Sequence, residues 1–461
     1  MTEMTYDVVV LGAGAGGVPA AIRAAQLGGR VAVIESGNPG GLCMNKGCIP
    51  FGHMMEASNI LGYISLGKDM GLGFPEISRD YAALLKRQNE LISFMRAGAK
   101  GMLSKNKVEI IEGKGQLADK DKVEVDGRIV SFKNLILATG AEWLKPDFPG
   151  SDLEEVMNSD DLLGAGELPE RVLLYGRSPW LIEIAQFLHR FGSQVTLATK
   201  ESRILSDESK TISSRLAKVL KNQGISILAK AEILSLKKKK DGLHSVLSVK
   251  GKEETMVVDR VIALKRGASL KGLGLTSAGI DEDSDYVRTD DRMETDTKGI
   301  YAIGDVSAPE KNHYSHSASA GGIIAAENAM GLDRTMESRT IARVIFTQPQ
   351  VACVGLTGKE AKKAGYDVVV GAAPLSMNPF GMILSQTEGI VEIVSEKRYG
   401  EILGMHIIGE SACEMAGQAV LAMQMEGTLE ELARATFPHP TLSESLPEAA
   451  REALGQAIYI P

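Results

Sequence analysis

The sequence predicts an α/β protein with two parallel-sheet domains and a C-terminal α+β domain. Three observations predict it. A strand, glycine-rich turn, helix and second strand succeed one another over residues 6 to 35. A unit of the same rhythm begins at Arg171. From about residue 341 the pattern changes to alternating strands followed by helices. At roughly 150 residues per domain, the 461 residues suffice for about three domains.

The first unit reads YDVVVLGAGAGGVPAAIRAAQLGGRVAVIE. The apolar run Val8 to Leu11 predicts a buried parallel strand, the alanine-rich stretch a helix, and Val31 to Ile34 a second strand ending in Glu35. Gly12, Gly14 and Gly17 make G-x-G-x-x-G in the strand–turn–helix context that the motif requires. Such glycines let the backbone turn tightly and approach a pyrophosphate at the helix N-terminus. Glu35 stands where a carboxylate accepts hydrogen bonds from an adenosine ribose. The unit predicts dinucleotide binding; the plainer alternative is a glycine-rich turn in an empty α/β domain.

Next comes GGLCMNKGCIPFGHMM, residues 40 to 55, with Cys43 and Cys48 behind a double glycine. The pair allows three readings: a working disulfide, half of a zinc site, or two core thiols. Cys353 and Cys413 have neither close cysteine mates nor a histidine at ligand spacing, which disfavours zinc. LILATGA (135 to 141) and GIYAIGD (299 to 305) predict buried strands ending in tight turns, with Asp305 at a strand's carboxyl end, where open α/β sheets bind ligands. In the second unit the glycine positions carry Gly176, Ser178 and Leu181, and its second strand ends in Thr199 and Lys200 instead of an acid. The chain is an imperfect duplication with one intact nucleotide turn and one eroded copy. Lys237 to Lys240 precede Asp241-Gly242 and predict a solvated hairpin turn. Strands such as Val391 to Val394 and Ile402 to Ile407 belong to the last domain, which ends in FPHPTLSESLPEAAREAL.

Composition narrows the partners. A net charge of -8 with no dominant basic stretch argues against nucleic acid. No apolar run approaches the roughly 20 residues of a membrane span. MTEMTYDVVV leads straight into a strand without a charged leader, and four cysteines in so long a chain are no disulfide scaffold. A soluble, cytoplasmic protein is expected, its close cysteine pair catalytic or metal-binding.

Taken together, GAGAGG with Glu35, GLCMNKGCIP, LILATGA, TKGIYAIGD, FTQPQVACVGLT and HPTLSE occur in the order found in the FAD-dependent pyridine nucleotide–disulfide oxidoreductases, and the chain resembles that family over nearly its whole length. HPTLSE and AAEN (Ala325 to Asn328) look most like its dihydrolipoamide dehydrogenase branch. The resemblance implies two Rossmann-like nucleotide domains, FAD-binding over 1–150 and 271–340 and NAD(P)-binding-like over 151–270, and a dimerisation domain over 341–461. It implies FAD contacts at Gly12, Gly14, Gly17, Glu35, Gly41, Gly115, Thr139, Gly140, Gly304 and Asp305. Gly176, Glu183 and Lys200 fall on the side of NAD or NADP. Cys43 becomes the interchange thiol and Cys48 the thiol against the flavin. His439 becomes the general base, with Glu444 fixing its tautomer, and serves the site of the other subunit of a homodimer. No metal is implied. A substrate dithiol, small or lipoyl-protein-borne, would reduce the Cys43–Cys48 disulfide, and electrons would pass through FAD to a pyridine nucleotide. The alternatives are a related reductase for another thiol, or a flavoprotein that relays electrons to a protein partner.

Two departures from the family pattern stand out. Relatives follow CIP with Ser-Lys, and that lysine pairs near the flavin with a glutamate matching Glu183; here Phe51 and Gly52 stand instead. A buried Glu183 without its cation should have a raised pKa, and the flavin a lower potential; Lys46 and His53 are the nearby candidates to compensate. Arg177, Ser178, Pro179 and Trp180 replace small residues at the second turn, with Trp180 where nicotinamide access is expected. Thr199 replaces the ribose-holding acid, while Lys200 and Arg203 supply the kind of cation that NADP use would need.

Overall fold

Strand Thr5–Leu11 lies parallel between Val31–Glu35 and Arg128–Leu137 at the centre of a seven-stranded sheet. The computed structural model describes residues 5–460. Glu109–Glu112 extends the sheet beyond Val31–Glu35, and Ile300–Ala302 joins Arg128–Leu137 in parallel. The central strand is buried at every residue from Val8 to Leu11, because helices cover one face and the 115–137 strands and following loops the other. A strand buried on both faces loses polar alternation, hence the continuous apolar run in the sequence.

Helix Gly17–Gln26 buries Gly17, Ala20, Ala21 and Ala24 and packs closely on helix Ser315–Ala329. Small side chains permit the approach. The tightest point is Gly17: a Cβ there would come within 1.8 Å of the Gly12 carbonyl oxygen. The helix start is therefore pressed against the end of the first strand.

The second unit forms a parallel sheet in the order Ser226–Ala229, Gln194–Thr199, Arg171–Tyr175, Arg260–Ala263, Val156–Met157. An antiparallel meander, Ala231–Lys239, Gly242–Val249 and Lys252–Val258, lies beside it. The hairpin that Asp241-Gly242 predicts forms, but of the exposed lysine run only Lys240 is in the turn; Lys237 to Lys239 end the first strand, where their side chains stay in solvent. The chain passes into and out of this unit through a two-strand ribbon, Ala141–Trp143 against Arg266–Ala268. The last sheet is antiparallel: Arg343–Ile345, Gln350–Gly355, Ile402–Gly409, Ile390–Glu396, Val368–Pro374. Every residue of Ile402–Gly409 is buried. Among the described residues no helix is long and apolar enough to cross a membrane.

One apolar core runs across all three regions. Phe51, Met54 and Met55 of helix Cys48–Asp69 meet Leu181, Ile182 and Phe187 of helix Pro179–Arg190, and Ile345, Val351 and Cys353 of the last sheet continue the cluster. The helix that starts at Cys48 is thus held from both neighbouring domains.

Two glycines separate packing from propensity. Gly17→Ala should destabilise by at least about 2 kcal/mol, since the added methyl meets backbone. Gly52, inside helix Cys48–Asp69 with nothing within 4 Å of an added Cβ, should gain about 0.5–1 kcal/mol as Gly52→Ala. Thermal melts of the two variants check both signs.

Candidate active site

The strand ends and glycine turns converge on one cleft of about 1680 Å³. Gly12, Gly14, Glu35, Gly41, Gly115, Thr139, Gly140, Gly304 and Asp305 line it together with Cys43 and Cys48. Gly17 is not a lining residue; it holds the helix against the turn. The Glu35 carboxylate accepts from the backbone N–H of Ala13 and of Gly37, each at 2.7 Å, and so ties the strand end to the turn. Asp305 is ion-paired to Arg266 at 2.6 Å.

These residues suit FAD. The glycine turn leaves backbone N–H groups and a helix N-terminus bare for a pyrophosphate, and Glu35 keeps lone pairs for ribose hydroxyls beyond the two it has committed. Two buried donors in residues lining the cleft, Trp143 Nε1 and Arg266 Nε, find no acceptor within the chain. An occupant with acceptors would satisfy them.

The cysteine loop is fastened to that turn by backbone. Gly40 N–H donates to the Ala13 carbonyl at 2.7 Å, and a Cβ on Gly41 would stand 2.7 Å from Gly14 Cα. Asn45 donates to the carbonyls of Gly41 and Pro39 at 2.8 and 3.2 Å, and accepts from Arg96. Cys43 lies in a short helix, Gly41–Asn45, and Cys48 begins the next, after Gly47. Gly47 separates the two helices between the thiols. Cys48 Sγ is 3.2 Å from Ser315 Oγ. The two thiols share a hydrogen bond, and the S–H of Cys48 draws Cys43 down to about 7 while Cys48 rises in return. The pair titrates as a unit that gives up its first proton easily. The N-terminus of the 48–69 helix favours the thiolate on Cys48 when the shared proton moves to the other sulfur.

His439 and Glu444 form a pair of their own. His439 Nδ1 lies 3.0 Å from Glu444 Oε1, and Glu444 also accepts from Thr441 N–H at 2.9 Å. The imidazole is exposed, its side chain 65% accessible, and it does not line the cleft of its own chain. Within one chain the structure brings His439 to Glu444 but not to the thiols.

Glu183 lines the cleft without a cation. It accepts from Phe346 N–H at 2.8 Å. Burial pushes it up to about 7, the nearby Cys48 adding to the shift and the Phe346 bond opposing it. Neither candidate substitute pairs with it. Lys46 is bound to Asp160 at 2.8 Å, and burial together with Arg87 lowers the pKa of His53. Phe51 turns into the core and meets Trp180 edge-on at 4.9 Å; Trp180 lies 6.1 Å from Trp143, over which Arg266 sits at 5.6 Å. These rings form an aromatic wall beside Gly52, where the space for a longer side chain stays open.

The second turn does not reproduce the first. Leu181, fully buried, fills the third glycine position, its Cδ1 3.0 Å from where a Gly176 Cβ would be. Pro179 at the start of the helix removes one N–H donor. Arg177 is paired with Asp207, Lys200 with Glu232 at 2.8 Å, and the Thr199 hydroxyl accepts from Glu201 N–H. Lys200 is outside the cleft lining. The second turn therefore lacks the bare glycine backbone of the first.

Sequence reading did not find Ser315, Asn45, Arg96 or Arg266. Ser315, Arg96 and Arg266 sit in no motif and reach the site only through contacts distant in sequence. Asn45, between the cysteines, was the one with a local signal, since a short polar side chain beside a glycine turn often bonds the backbone.

Comparison with known proteins agrees with this geometry. Residues 6–331 match the family model described as pyridine nucleotide–disulphide oxidoreductase, and residues 341–450 match that family's dimerisation domain. The dihydrolipoyl dehydrogenase of Thermus scotoductus is 36% identical over 463 residues, 99% of each chain. One from Bacillus subtilis is 33% identical over 462 residues, covering 98% of this chain and 97% of its own. Among solved structures, the Cu(II) complex of the HOCl-induced flavoprotein disulfide reductase RclA from Escherichia coli superposes with a TM-score of 0.85 over 98% of this chain and 99% of its own, at 23% identity, a likeness of fold.

Glu183 supplies a pH signature. A carboxyl held above its ordinary range is stabilising while protonated, so its contribution is full below about pH 4.5 and is lost as pH rises through about 7. Wild type should therefore lose on the order of 2 kcal/mol more than Glu183→Gln between about pH 5 and 8, read from thermal melts. Gly52→Lys, for which the cleft wall has space, should shrink that difference and raise the flavin potential. An unchanged pH profile in Gly52→Lys would show that the missing lysine is not its cause.

Proposed function

The chain belongs to the pyridine nucleotide–disulphide oxidoreductase family, and from that premise we propose that it oxidises a dithiol of the dihydrolipoyl type through the Cys43–Cys48 pair. The observation that carries this reading is the proton-sharing thiol pair fastened by backbone contacts to an FAD-type turn. The full-length dihydrolipoyl dehydrogenase relatives supply the substrate class. The enzyme is a homodimer, with the C-terminal domain as its interface.

In this reading His439 of the partner subunit takes the proton of a substrate thiol, and Glu444 holds the imidazole by Nδ1 so that Nε2 faces the sulfur. The exposure of the His439–Glu444 pair in a single chain supports a role across the interface. The substrate thiolate attacks Cys43 Sγ of the disulfide; a mixed disulfide forms and Cys48 leaves as thiolate. The helix N-terminus and the Ser315 hydroxyl at 3.2 Å receive that charge. The second substrate sulfur, once deprotonated, displaces Cys43 and leaves as the substrate disulfide. Glu35 and Asp305 would hold FAD, which would supply the two-electron acceptor for the reduced pair.

The altered second turn favours a second reading, a flavoprotein that passes its electrons to another protein. Anaerobic titration with dihydrolipoamide, NADH and NADPH in turn separates the two. Turnover of NAD⁺ or NADP⁺ with the dithiol supports the dehydrogenase. Long-wavelength absorbance with the dithiol and no response to either nucleotide supports the relay.

Cys48→Ser should abolish dithiol oxidation; full activity in that variant would sink the scheme. His439→Gln should lower turnover by roughly 10²–10⁴-fold with little change in melting temperature, as expected for loss of a general base.

A further inference from the structure

At another part of the cleft lies a cluster of ligating side chains that the thiol chemistry does not use. Neighbouring strands of the last sheet place Arg343 opposite Cys353 and Cys353 opposite His406. Glu208 arrives from the second nucleotide-type domain, in the loop before helix Lys210–Asn222. One ligating atom from each of Glu208, Cys353 and His406 lies within 4.8 Å of the others, and all three residues are buried.

His406 shows what the cluster lacks. Its Nε2 donates to the Leu356 carbonyl at 3.0 Å, so Nδ1 carries the lone pair. That nitrogen is buried and has no partner. Leaving such an acceptor unsatisfied costs roughly 1–3 kcal/mol. An imidazole with its outer N–H held by a carbonyl and its other nitrogen bare is the arrangement of a metal-ligating histidine.

We propose that Glu208, Cys353 and His406 bind one zinc-like divalent cation. Thiolate, imidazole and carboxylate together form a donor set of that class. Modest side-chain rotation would draw the three atoms onto one ion. Cys353 and Glu208 line the cleft, which provides an entry path and an open fourth position for water. On binding, the Cys353 thiol gives its proton to solvent and a sulfur–metal bond replaces S–H; no oxidant or reductant is needed.

Arg343 is the competing group. It grips Glu208 with two bonds, Nε to Oε1 at 2.7 Å and Nη2 to Oε2 at 2.9 Å. These bonds hold the carboxylate ionised and aimed at the cluster, and each oxygen retains a further lone pair. With the ion bound, the thiolate, carboxylate, guanidinium and dication sum to one positive charge beside an open cleft. Because Glu208 belongs to one domain and the strands to another, the ion would clamp that junction.

The test uses flavin-loaded Cys43→Ser/Cys48→Ser protein, which removes the redox thiols as competing ligands. Titration with Co²⁺ should give one equivalent per chain of four-coordinate visible bands beyond the flavin absorption, displaced by Zn²⁺. Adding Cys353→Ser should weaken Zn²⁺ binding by at least about 100-fold, measured against a chromogenic chelator, while adding Cys413→Ser should leave it unchanged. His406→Gln should match Cys353→Ser; if it fails to fold, the near-isosteric Cys353→Ser carries the test. No saturable Co²⁺ band, or an undiminished one after Cys353→Ser, overturns the proposal and leaves the cluster as an ion pair with two neutral neighbours.

Discussion

The site depends on how closely two backbones can approach at the first turn. Gly17 lies against the Gly12 carbonyl, and Gly41 lies against Gly14, at distances that leave no room for a side chain. The first contact sets the helix N-terminus over the strand end. The second, with the Gly40–Ala13 hydrogen bond, docks the cysteine loop onto the same turn. Nucleotide cradle and thiol pair are therefore one rigid object. No side chain separates the loop from the turn.

Around this object the chain has traded a charge for apolar surface. Phe51 joins the core shared with helix Pro179–Arg190, Gly52 beside it offers no cation, and Trp180 and Trp143 extend the aromatic surface toward Arg266. Glu183 is left with a backbone N–H as its partner and stays protonated further into the neutral range. A neutral acid and an aromatic wall make a drier, less positive cleft than a lysine–glutamate pair would, which bears on the potential of any flavin bound there.

The domain junctions follow the same logic of few, well-satisfied polar contacts set in apolar packing. Arg343 and Glu208 join the last sheet to the second nucleotide-type domain, and Gln186 bonds both Gln223 and the Gln348 carbonyl. These junctions fix the last domain relative to the thiols, so the exposed His439–Glu444 pair is presented at a defined place on the surface.

The sequence by itself determined the intact nucleotide turn, the cysteine pair and the His439–Glu444 spacing, because each is local: a turn, a helix start or a short loop brings its residues together whatever the rest of the chain does. It also carried the raised pKa of Glu183, since a missing cation can be read from residue identities and burial does the rest. Only the tertiary structure decided that Lys46 is bound to Asp160 and cannot serve Glu183, that Ser315 meets Cys48, and that Cys353 stands opposite His406 and near Glu208. Cysteine spacing gave no hint of that last cluster. Strand register and domain packing bring those residues together across long stretches of chain, and neither leaves a periodic trace in the sequence.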